Sequence, residues 1–171
     1  MAVVYLGIGS NLGDRNSNID KALTLLEEKK DIKVGAVSHR IETAPQEGAG
    51  LPDWQGPPQG DFLNAAACIE TDLLPLELLS RLKAVERRLG RVKTEPNAPR
   101  PIDLDILFYD DVVIVDGKNL CIPHPRLAER EFVLKPLSEI APSFVHPRLK
   151  KEVAELYRDF LHESHPEPRK P

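Results

Sequence analysis

The chain has 171 residues, of which 41% are hydrophobic and 29% charged, and its formal net charge at pH 7 is −4. This size and composition predict one soluble globular domain, because a chain of this length buries a core without disulfides or a structural metal. The negative charge argues against a protein that coats nucleic acid, and the sequence lacks the roughly 18-residue apolar run that a membrane helix needs.

The start of the chain does not resemble a secretory signal, because no basic segment precedes its apolar stretch and Gly7 and Asp14 interrupt that stretch early. Cys68 and Cys121 lie in apolar segments without neighbours at metal-ligand spacing, which predicts buried, reduced thiols. We therefore expect a cytoplasmic protein.

Hydrophobic periodicity and turn residues predict the elements in chain order. The first four are a strand at Val3–Ile8, a helix from Asp14 to about Lys30, a strand at Ile32–Glu42 and a strand at Phe62–Thr71. A helix at Pro75–Leu89, capped by Thr71 or Asp72, and strands at Ile102–Tyr109 and Val112–Val115 follow. The rest is predicted as helical turns at Pro125–Arg130 and Leu137–Ile140 and a helix at Glu152–His162.

The order βαββαβ predicts an α+β fold of the ferredoxin-like type, an antiparallel sheet with two helices on one face and the other face left for additions. We expect a single catalytic domain over residues 1–164 and a flexible tail at 165–171, which is polar and rich in proline. The connections at 44–61 and 90–101 are long or basic, and we expect both to close over one site.

The sharpest chemical pattern is Asp103-Leu104-Asp105 in a predicted strand. Because side chains alternate along a strand, the two carboxylates share one face. The opposite face is predicted to carry Ile102, Leu104, Ile106 and Phe108. Adjacent carboxylates repel unless a cation lies between them, and Mg²⁺ prefers oxygen ligands of this kind. The alternative is that both are solvated residues of an edge strand.

Other polar residues near this pattern also allow two interpretations. Arg91, Lys93 and Arg100 favour a polyphosphate site, because guanidinium groups pair with phosphate oxygens, although surface charge for solubility gives the same pattern. Glu86 interrupts the apolar face of its helix and needs a partner, either a structural arginine or a ligand. Asn64 shares a strand face with Phe62, an arrangement that suits a planar heterocycle but is also common in structural roles.

Two nucleotide-binding motifs are excluded. The segment Gly7–Gly13 has the spacing G-x-G-x-x-x-G, and the following ββ connection rules out a dinucleotide-binding unit. No G-x-x-x-x-G-K-[ST] segment occurs, so an ATP site here is not a P-loop. His124 is a lone histidine between prolines and by itself favours a turn residue over a base.

The chain resembles the 6-hydroxymethyl-7,8-dihydropterin pyrophosphokinase family over about Val3 to Pro142. The resemblance rests on five segments in register: Gly7–Arg15, Asp61–Ala66, Leu89–Arg91, Pro99–Leu107 and Ile122–Val133. It implies a three-layer α/β/α ferredoxin-like fold, ATP and the dihydropterin as substrates, two Mg²⁺ ions, and AMP and the pterin diphosphate as products.

The resemblance also implies roles for individual positions. Asp103 and Asp105 would hold metal, and the catalytic set would be Arg91, Arg100 and Asp105. The pterin would contact Thr43, Pro45, Phe62, Asn64 and Phe132. ATP would contact Lys83, Glu86, Lys93, Ile106, His124 and Arg130. Many relatives have Arg-Trp-Gly-Pro-Arg where this chain has Glu95-Pro-Asn-Ala-Pro-Arg100, so no tryptophan seals the site from that loop, and Trp54 is the alternative lid residue.

Two rival functions stay open at this stage. A ferredoxin-like nucleotidyltransferase would use the same aspartates but release pyrophosphate, and a non-catalytic interaction module would leave them facing solvent. For the pyrophosphokinase we expect small-molecule partners only, without nucleic acid or membrane, and a monomer.

Overall fold

The computed structural model describes residues 1–45, 59–92, 98–116 and 120–164. The strands are β1 (Ala2–Ser10), β2 (Ile32–Val37), β3 (Ile41–Thr43), β4 (Phe62–Thr71), β5 (Asp103–Tyr109), β6 (Ile114–Asp116) and β7 (Leu120–Ile122). The helices are α1 (Arg15–Glu27), α2 (Pro75–Arg88), α3 (Glu131–Ile140) and α4 (Val153–Ser164), with a 3-10 turn at Leu127–Glu129. In the described ranges, no helix is long and apolar enough to cross a bilayer. The predictions for Lys93, Trp54 and the tail at 165–171 lie outside the described residues.

The main sheet confirms the ferredoxin-like prediction. Its strands lie in the order β2-β4-β1-β5 and all pairings are antiparallel, with the short β3 added to β4. β6 and β7 form a separate hairpin. β4 and β5 pair with opposite edges of β1, so residues on these two strands face the same sheet surface on either side of β1.

Each face of the sheet is covered by its own pair of helices. One buried cluster joins the sheet to α1 and α2 through residues such as Leu6, Ile19, Leu82 and Leu104. The other joins it to α3 and α4 through residues such as Leu107, Phe108, Leu134 and Leu156. The three-layer α/β/α arrangement is thereby confirmed, with α3 and α4 as the additions on the second face.

The second helix begins differently from the prediction. Leu74, and neither Thr71 nor Asp72, is the N-cap residue, and Glu77 Oε2 accepts the Leu74 N–H at 2.8 Å. Thr71 Oγ1 instead donates to the Asp31 carbonyl at 2.7 Å and accepts from the Leu73 N–H at 3.1 Å. The prediction was wrong because the threonine hydroxyl binds the chain on both sides before the helix starts.

The predicted strand at 32–42 is divided into β2 and β3. The pairing of β2 with β4 shifts between Val34 and Val37. Ser38 then binds Ala66 twice, since its N–H donates to the Ala66 carbonyl and its Oγ accepts the Ala66 N–H, both at 2.9 Å. A buried serine side chain thus replaces a ladder bond and ends the strand.

The alternation predicted for β5 holds up to Ile106 and then fails. Pairing with β1 is irregular between Tyr5 and Leu6, opposite the segment 106–108. Phe108 therefore packs with Leu107 against the α3–α4 layer, not with Ile106 against α1 and α2. A bulge places an extra residue on one strand, which changes the face of every side chain beyond it. The structure also extends the predicted turn at 137–140 into the longer α3 and adds β7, which was not predicted.

His146 holds the turn before α4 and gives the fold a predictable pH dependence. It is 5% exposed, its Nδ1 accepts the N–H groups of Arg148 and Leu149 at 3.2 Å, and its ring packs edge-on to Phe108. Burial, with a further contribution from Arg148, lowers its pKa below the ordinary 6.5.

We expect His146 to make its full contribution to the free energy of unfolding above about pH 6.5, where the ring is neutral in the folded and the unfolded state. This contribution should be lost as the pH falls from 6.5 through the lowered folded-state pKa. His146→Asn should lose stability at pH 7.5, by about 1–3 kcal/mol, and should show a flatter stability profile between pH 7 and 5. Urea unfolding across this range measures both effects. A variant profile parallel to that of the wild type would contradict the assignment.

Candidate active site

The two aspartates lie on the β5 face that turns away from α1 and α2. Leu104 between them is fully buried in the α1–α2 core, while both carboxylates are only half-buried. Across the central strand, Asp105 pairs with Gly7 and Asp103 with Gly9. Because neither glycine has a side chain, Leu107 packs over Gly7, and Asn64 and Phe62 pack over Gly9.

Asp103 is held by arginines that come from the loop after α2 and from the segment before β5. Arg91 Nη1 lies 2.6 Å from Asp103 Oδ1, and Arg100 Nε lies 3.5 Å from Asp103 Oδ2. Burial alone would raise the pKa of Asp103, but Arg100 and then Arg91 hold it below the usual value. Asp103 is therefore an anion at neutral pH, with its orientation fixed from two sides.

Asp105 has the opposite electrostatic environment. Burial, and next the neighbouring charge of Asp103, raises the pKa of Asp105 to about 7. A second negative charge beside Asp103 is therefore disfavoured in spite of the nearby arginines, and this is the condition that a divalent cation relieves. Within the described ranges, no group of three or more Asp, Glu, His or Cys residues is placed to hold a metal ion. Two carboxylates without further protein ligands fit Mg²⁺ that completes its shell with phosphate oxygens and water.

Glu86 serves as the buried support of this arrangement. It is 2% exposed, and its Oε1 accepts the Leu104 N–H at 2.8 Å and lies 2.9 Å from Arg91 Nη1 and 3.1 Å from Lys83 Nζ. The sequence allowed either a structural arginine or a ligand as the partner of Glu86. The structure shows the structural arginine, Arg91, together with Lys83 and the Leu104 N–H. From its position on α2, Glu86 therefore holds both Arg91 and the main chain of β5 in place.

Two further observations suit an anionic ligand. Arg100 Nε and Arg130 Nε are buried and, among the described residues, have no hydrogen-bond partner. Arg130 directly precedes α3. Burial, and next the charge of Arg126, lowers the pKa of Arg130, while the charges of Asp105 and Asp103 oppose this shift. Buried guanidinium donors without partners are costly, and phosphate oxygens would satisfy them.

His124 is a neutral donor on the same side. Burial, and next the charge of Arg130, lowers its pKa to about 4. Its Nδ1 accepts the Arg126 N–H at 3.2 Å, so the neutral ring carries its proton on Nε2. At neutral pH the ring is therefore uncharged, with an N–H group at Nε2 that can donate a hydrogen bond.

The predicted acceptor residues lie on the other side of β1. Asn64 is 5% exposed, pairs with Gly9, and donates from Nδ2 to Thr43 Oγ1 at 2.6 Å. Phe62 pairs with Thr43, and a Cβ built on Gly9 would lie 3.7 Å from Phe62 Cδ1, so the ring and the amide share one face. Pro45, two residues beyond Thr43, is half-buried.

Aromatic rings and arginines connect the two sides. The guanidinium carbon of Arg100 lies 5.8 Å from the centre of the Phe62 ring, and that of Arg130 lies 5.5 Å from the Phe132 ring. Each predicted stacking ring therefore has a guanidinium group beside it, and that of Arg100 also lies against Asp103.

Ile106 is placed differently from the other predicted ATP contacts that the structure describes. Ile106 is 5% exposed and its side chain lies in the α1–α2 core, so its side chain does not reach the carboxylate face. Lys93 lies outside the described residues.

Sequence reasoning gave no individual role to Gly9, although it belongs to the segment Gly7–Gly13. A Cβ built on Gly9 would lie 3.0 Å from Asn64 Oδ1, a distance that forces the amide to move. We expect Gly9→Ala to lower kcat/KM for the acceptor substrate by about tenfold or more, because a displaced amide loses its alignment. KM for ATP should change little.

Steady-state kinetics with each substrate varied in turn measures this effect. Gly35→Ala is the matched control, because it adds a methyl group in β2 that meets only the Cys68 carbonyl, at 3.4 Å. Equal losses in both variants would contradict a local effect on Asn64.

Comparison with known proteins decides the family. The sequence pattern of the family described as 7,8-dihydro-6-hydroxymethylpterin-pyrophosphokinase (HPPK) matches residues 5–142. The chain belongs to the HPPK family. The HPPK match includes the carboxylate pair, both flanking arginines and the acceptor side of the site.

Individual HPPK relatives agree. The chain is 44% identical over 155 residues to the 2-amino-4-hydroxy-6-hydroxymethyldihydropteridine pyrophosphokinase of Aquifex aeolicus, covering 91% of this chain and 90% of that protein. It is 43% identical over 147 residues to the folic acid synthesis protein FOL1 of Dictyostelium discoideum, covering 86% of this chain and 21% of that one.

Solved HPPK structures support the fold. A structure described as HPPK-DHPS in complex with substrates has a TM-score of 0.75 and 17% identity, covering 99% of this chain and 45% of that one. Wild-type HPPK-DHPS of Plasmodium falciparum with pteroate also has a TM-score of 0.75, with 15% identity and 97% and 45% coverage. The chain thus spans under half the length of these solved chains and about a fifth of the Dictyostelium protein.

Proposed function

We propose that the chain transfers a pyrophosphoryl group from ATP to the hydroxymethyl group of 6-hydroxymethyl-7,8-dihydropterin, giving the pterin diphosphate and AMP in folate biosynthesis. One observation carries the proposal. An Asp103–Asp105 pair flanked by arginines and an Asn64–Phe62 pair lie on one face of the sheet, on either side of β1, in a chain of the HPPK family.

Asp103 and Asp105 would hold Mg²⁺, and the resemblance to the HPPK family implies two ions. When bound, the ions supply charge neutralisation and orientation for the phosphates. The fit rests on the raised pKa of Asp105 and on a donor set limited to two carboxylates.

The cations on the nucleotide side bind and orient the triphosphate. Arg91 and Arg100 stabilise the charge on the transferred group, because both already lie against Asp103. Arg130, His124 and Lys83 contact the remaining phosphates or the nucleoside, and Lys93 is assigned to the same role by position. Glu86 acts by holding Arg91 and Lys83 in place.

The acceptor side binds the flat ring. Asn64, fixed by Thr43, presents its amide to the edge of the pterin, and the main chain near Pro45 completes that edge. Phe62 and Phe132 stack on the two faces of the ring.

The transfer is an in-line displacement at the β-phosphorus. The pterin hydroxyl oxygen forms a bond to that phosphorus as the bond between it and the oxygen bridging to the α-phosphorus breaks, and AMP leaves with the electron pair. The hydroxyl proton passes to Asp105 or to water.

An end-point assay tests the proposal. Purified protein with ATP, Mg²⁺ and the pterin alcohol should form AMP and the pterin diphosphate in equal amounts, and should form no AMP without the acceptor. Release of pyrophosphate would instead identify a nucleotidyltransferase. Absence of both products, together with no thermal stabilisation by millimolar MgATP, would identify a non-catalytic module.

The proposal includes a single catalytic domain over residues 1–164 that acts as a cytoplasmic monomer. Light scattering at assay concentration tests the oligomeric state, and a mass of about 19 kDa is expected for the 19.1 kDa chain.

A further inference from the structure

Asn11 lies at the exit of β1 and joins two segments that are distant in sequence. The residue is 7% exposed. Its N–H donates to the Arg100 carbonyl at 3.2 Å, and its Oδ1 accepts the Arg100 N–H at 2.9 Å. Its Nδ2 donates to Gln59 Oε1 at 2.9 Å and lies 3.5 Å from the Gly60 carbonyl. A buried amide whose donor and acceptor are both satisfied fixes the groups that it contacts.

The two segments carry residues of both halves of the site. Arg100 places its Nε 3.5 Å from Asp103 Oδ2. Gln59 and Gly60 lead directly into β4, whose first residue is Phe62. The Arg100 guanidinium also lies beside the Phe62 ring. Asn11 therefore stands where the nucleotide side and the acceptor side meet.

We propose that Asn11 is a positioning residue that fixes the main chain of Arg100, and thereby its guanidinium, for the transfer step. This inference rests on the proposed function, because it assigns a use to the orientation of Arg100. A guanidinium stabilises the charge that develops in the transition state only when its N–H donors already point at that charge. A misplacement of the group by about 1 Å lowers the rate on the order of a hundredfold. Arg100 belongs to a segment without regular secondary structure, so its main-chain direction depends on these bonds to Asn11.

Asn18 supplies the matched control. Its Nδ2 donates to the Leu12 carbonyl at 2.9 Å, so it ties down the same turn after β1 with the same chemical group. Its hydrogen bonds run to Leu12 and Ser10, not to Arg100. Asn18→Ala thus reports the cost of loosening the turn alone.

The kinetic test is a double-mutant cycle between positions 11 and 100. Asn11→Ala should lower kcat by about 10- to 100-fold. In an Arg100→Ala background the same change should lower kcat less than about threefold, because the residue that it positions is already absent.

Two kinetic outcomes would overturn the inference. One is a full multiplicative loss in the double variant. The other is a loss in Asn18→Ala as large as that in Asn11→Ala at matched thermal stability. Either result would show that the side chain only stabilises the turn.

A measurement that needs no activity separates this inference from the proposed function. Amide hydrogen exchange at Arg100 should be about tenfold or more faster in Asn11→Ala than in the wild type, and unchanged in Asn18→Ala. Unchanged exchange at Arg100 in Asn11→Ala would refute the positioning role of Asn11 even in an active enzyme. If the wild type forms no AMP, the proposed function is wrong, but the exchange experiment still tests whether Asn11 fixes the main chain of Arg100.

Discussion

Asp105→Asn is expected to lower kcat by about a thousandfold or more while leaving the fold intact. The change removes one of the two carboxylates that face the triphosphate, and the charge stabilisation supplied through such a site is worth several kcal/mol. AMP formation under saturating ATP and Mg²⁺ measures the loss, and Asp105→Ala should give the same result.

The same variant should be more stable than the wild type when both are free of metal. A carboxylate whose folded-state pKa is raised contributes stability that is fully present below its unfolded-state pKa of about 3.8 and is lost as the pH rises through about 7. Asparagine does not undergo that loss, so the melting temperature of Asp105→Asn in chelator should exceed that of the wild type at pH 8 and converge with it near pH 4.

Asp111→Asn is the control for both measurements. Asp111 is an exposed aspartate in the turn just after β5. It should leave kcat and the melting temperature unchanged. Retained turnover in Asp105→Asn would remove the basis of the metal site, and a lower melting temperature at pH 8 would show that the carboxylate is already neutralised by the protein.

Arg100→Ala is expected to lower kcat by about a hundred- to a thousandfold, with a smaller change in KM for ATP. The guanidinium lies against Asp103, and its buried Nε has no hydrogen-bond partner among the described residues, which suits a donor that acts on the transferred group. Arg100→Lys should recover only a small part of the rate, because an ammonium group lacks the planar pair of donors.

Arg88→Ala is the matched control for Arg100, because Arg88 pairs with Glu28 on the exposed surface of α2. Its kcat should equal that of the wild type. Loss of ATP affinity with kcat preserved in Arg100→Ala would place Arg100 in ground-state binding and not in the transfer step.

Local patterns predicted the parts of the site that depend on one element. Alternation along β5 correctly placed Asp103 and Asp105 on one face, because a strand has a fixed two-residue period. It failed at Phe108, because a bulge is set by how β1 and β5 pair and not by either sequence alone. The cap of α2 was wrong for a similar reason, since Thr71 binds a carbonyl of another segment, that of Asp31.

Contacts between distant segments were not predictable from the sequence. Glu86 was recognised as semi-buried, but its partners Arg91 and the Leu104 N–H lie on other elements. Asn11 gave no signal, because its partner Arg100 is 89 residues away in the chain. Such contacts depend on the topology that brings β1, β4 and β5 side by side.

The position of β1 between β4 and β5 has a consequence for which acceptors the enzyme accepts. Asn64 and Asp103 lie level with Gly9 on either side, so their main chains are two strand spacings apart, roughly 9–10 Å. Hydrogen-bonded strands resist stretching, so the distance between the bound pterin ring and the β-phosphate of ATP is fixed. A pterin whose hydroxyalkyl arm is longer by one methylene group would overshoot the β-phosphorus and react poorly even if it binds well.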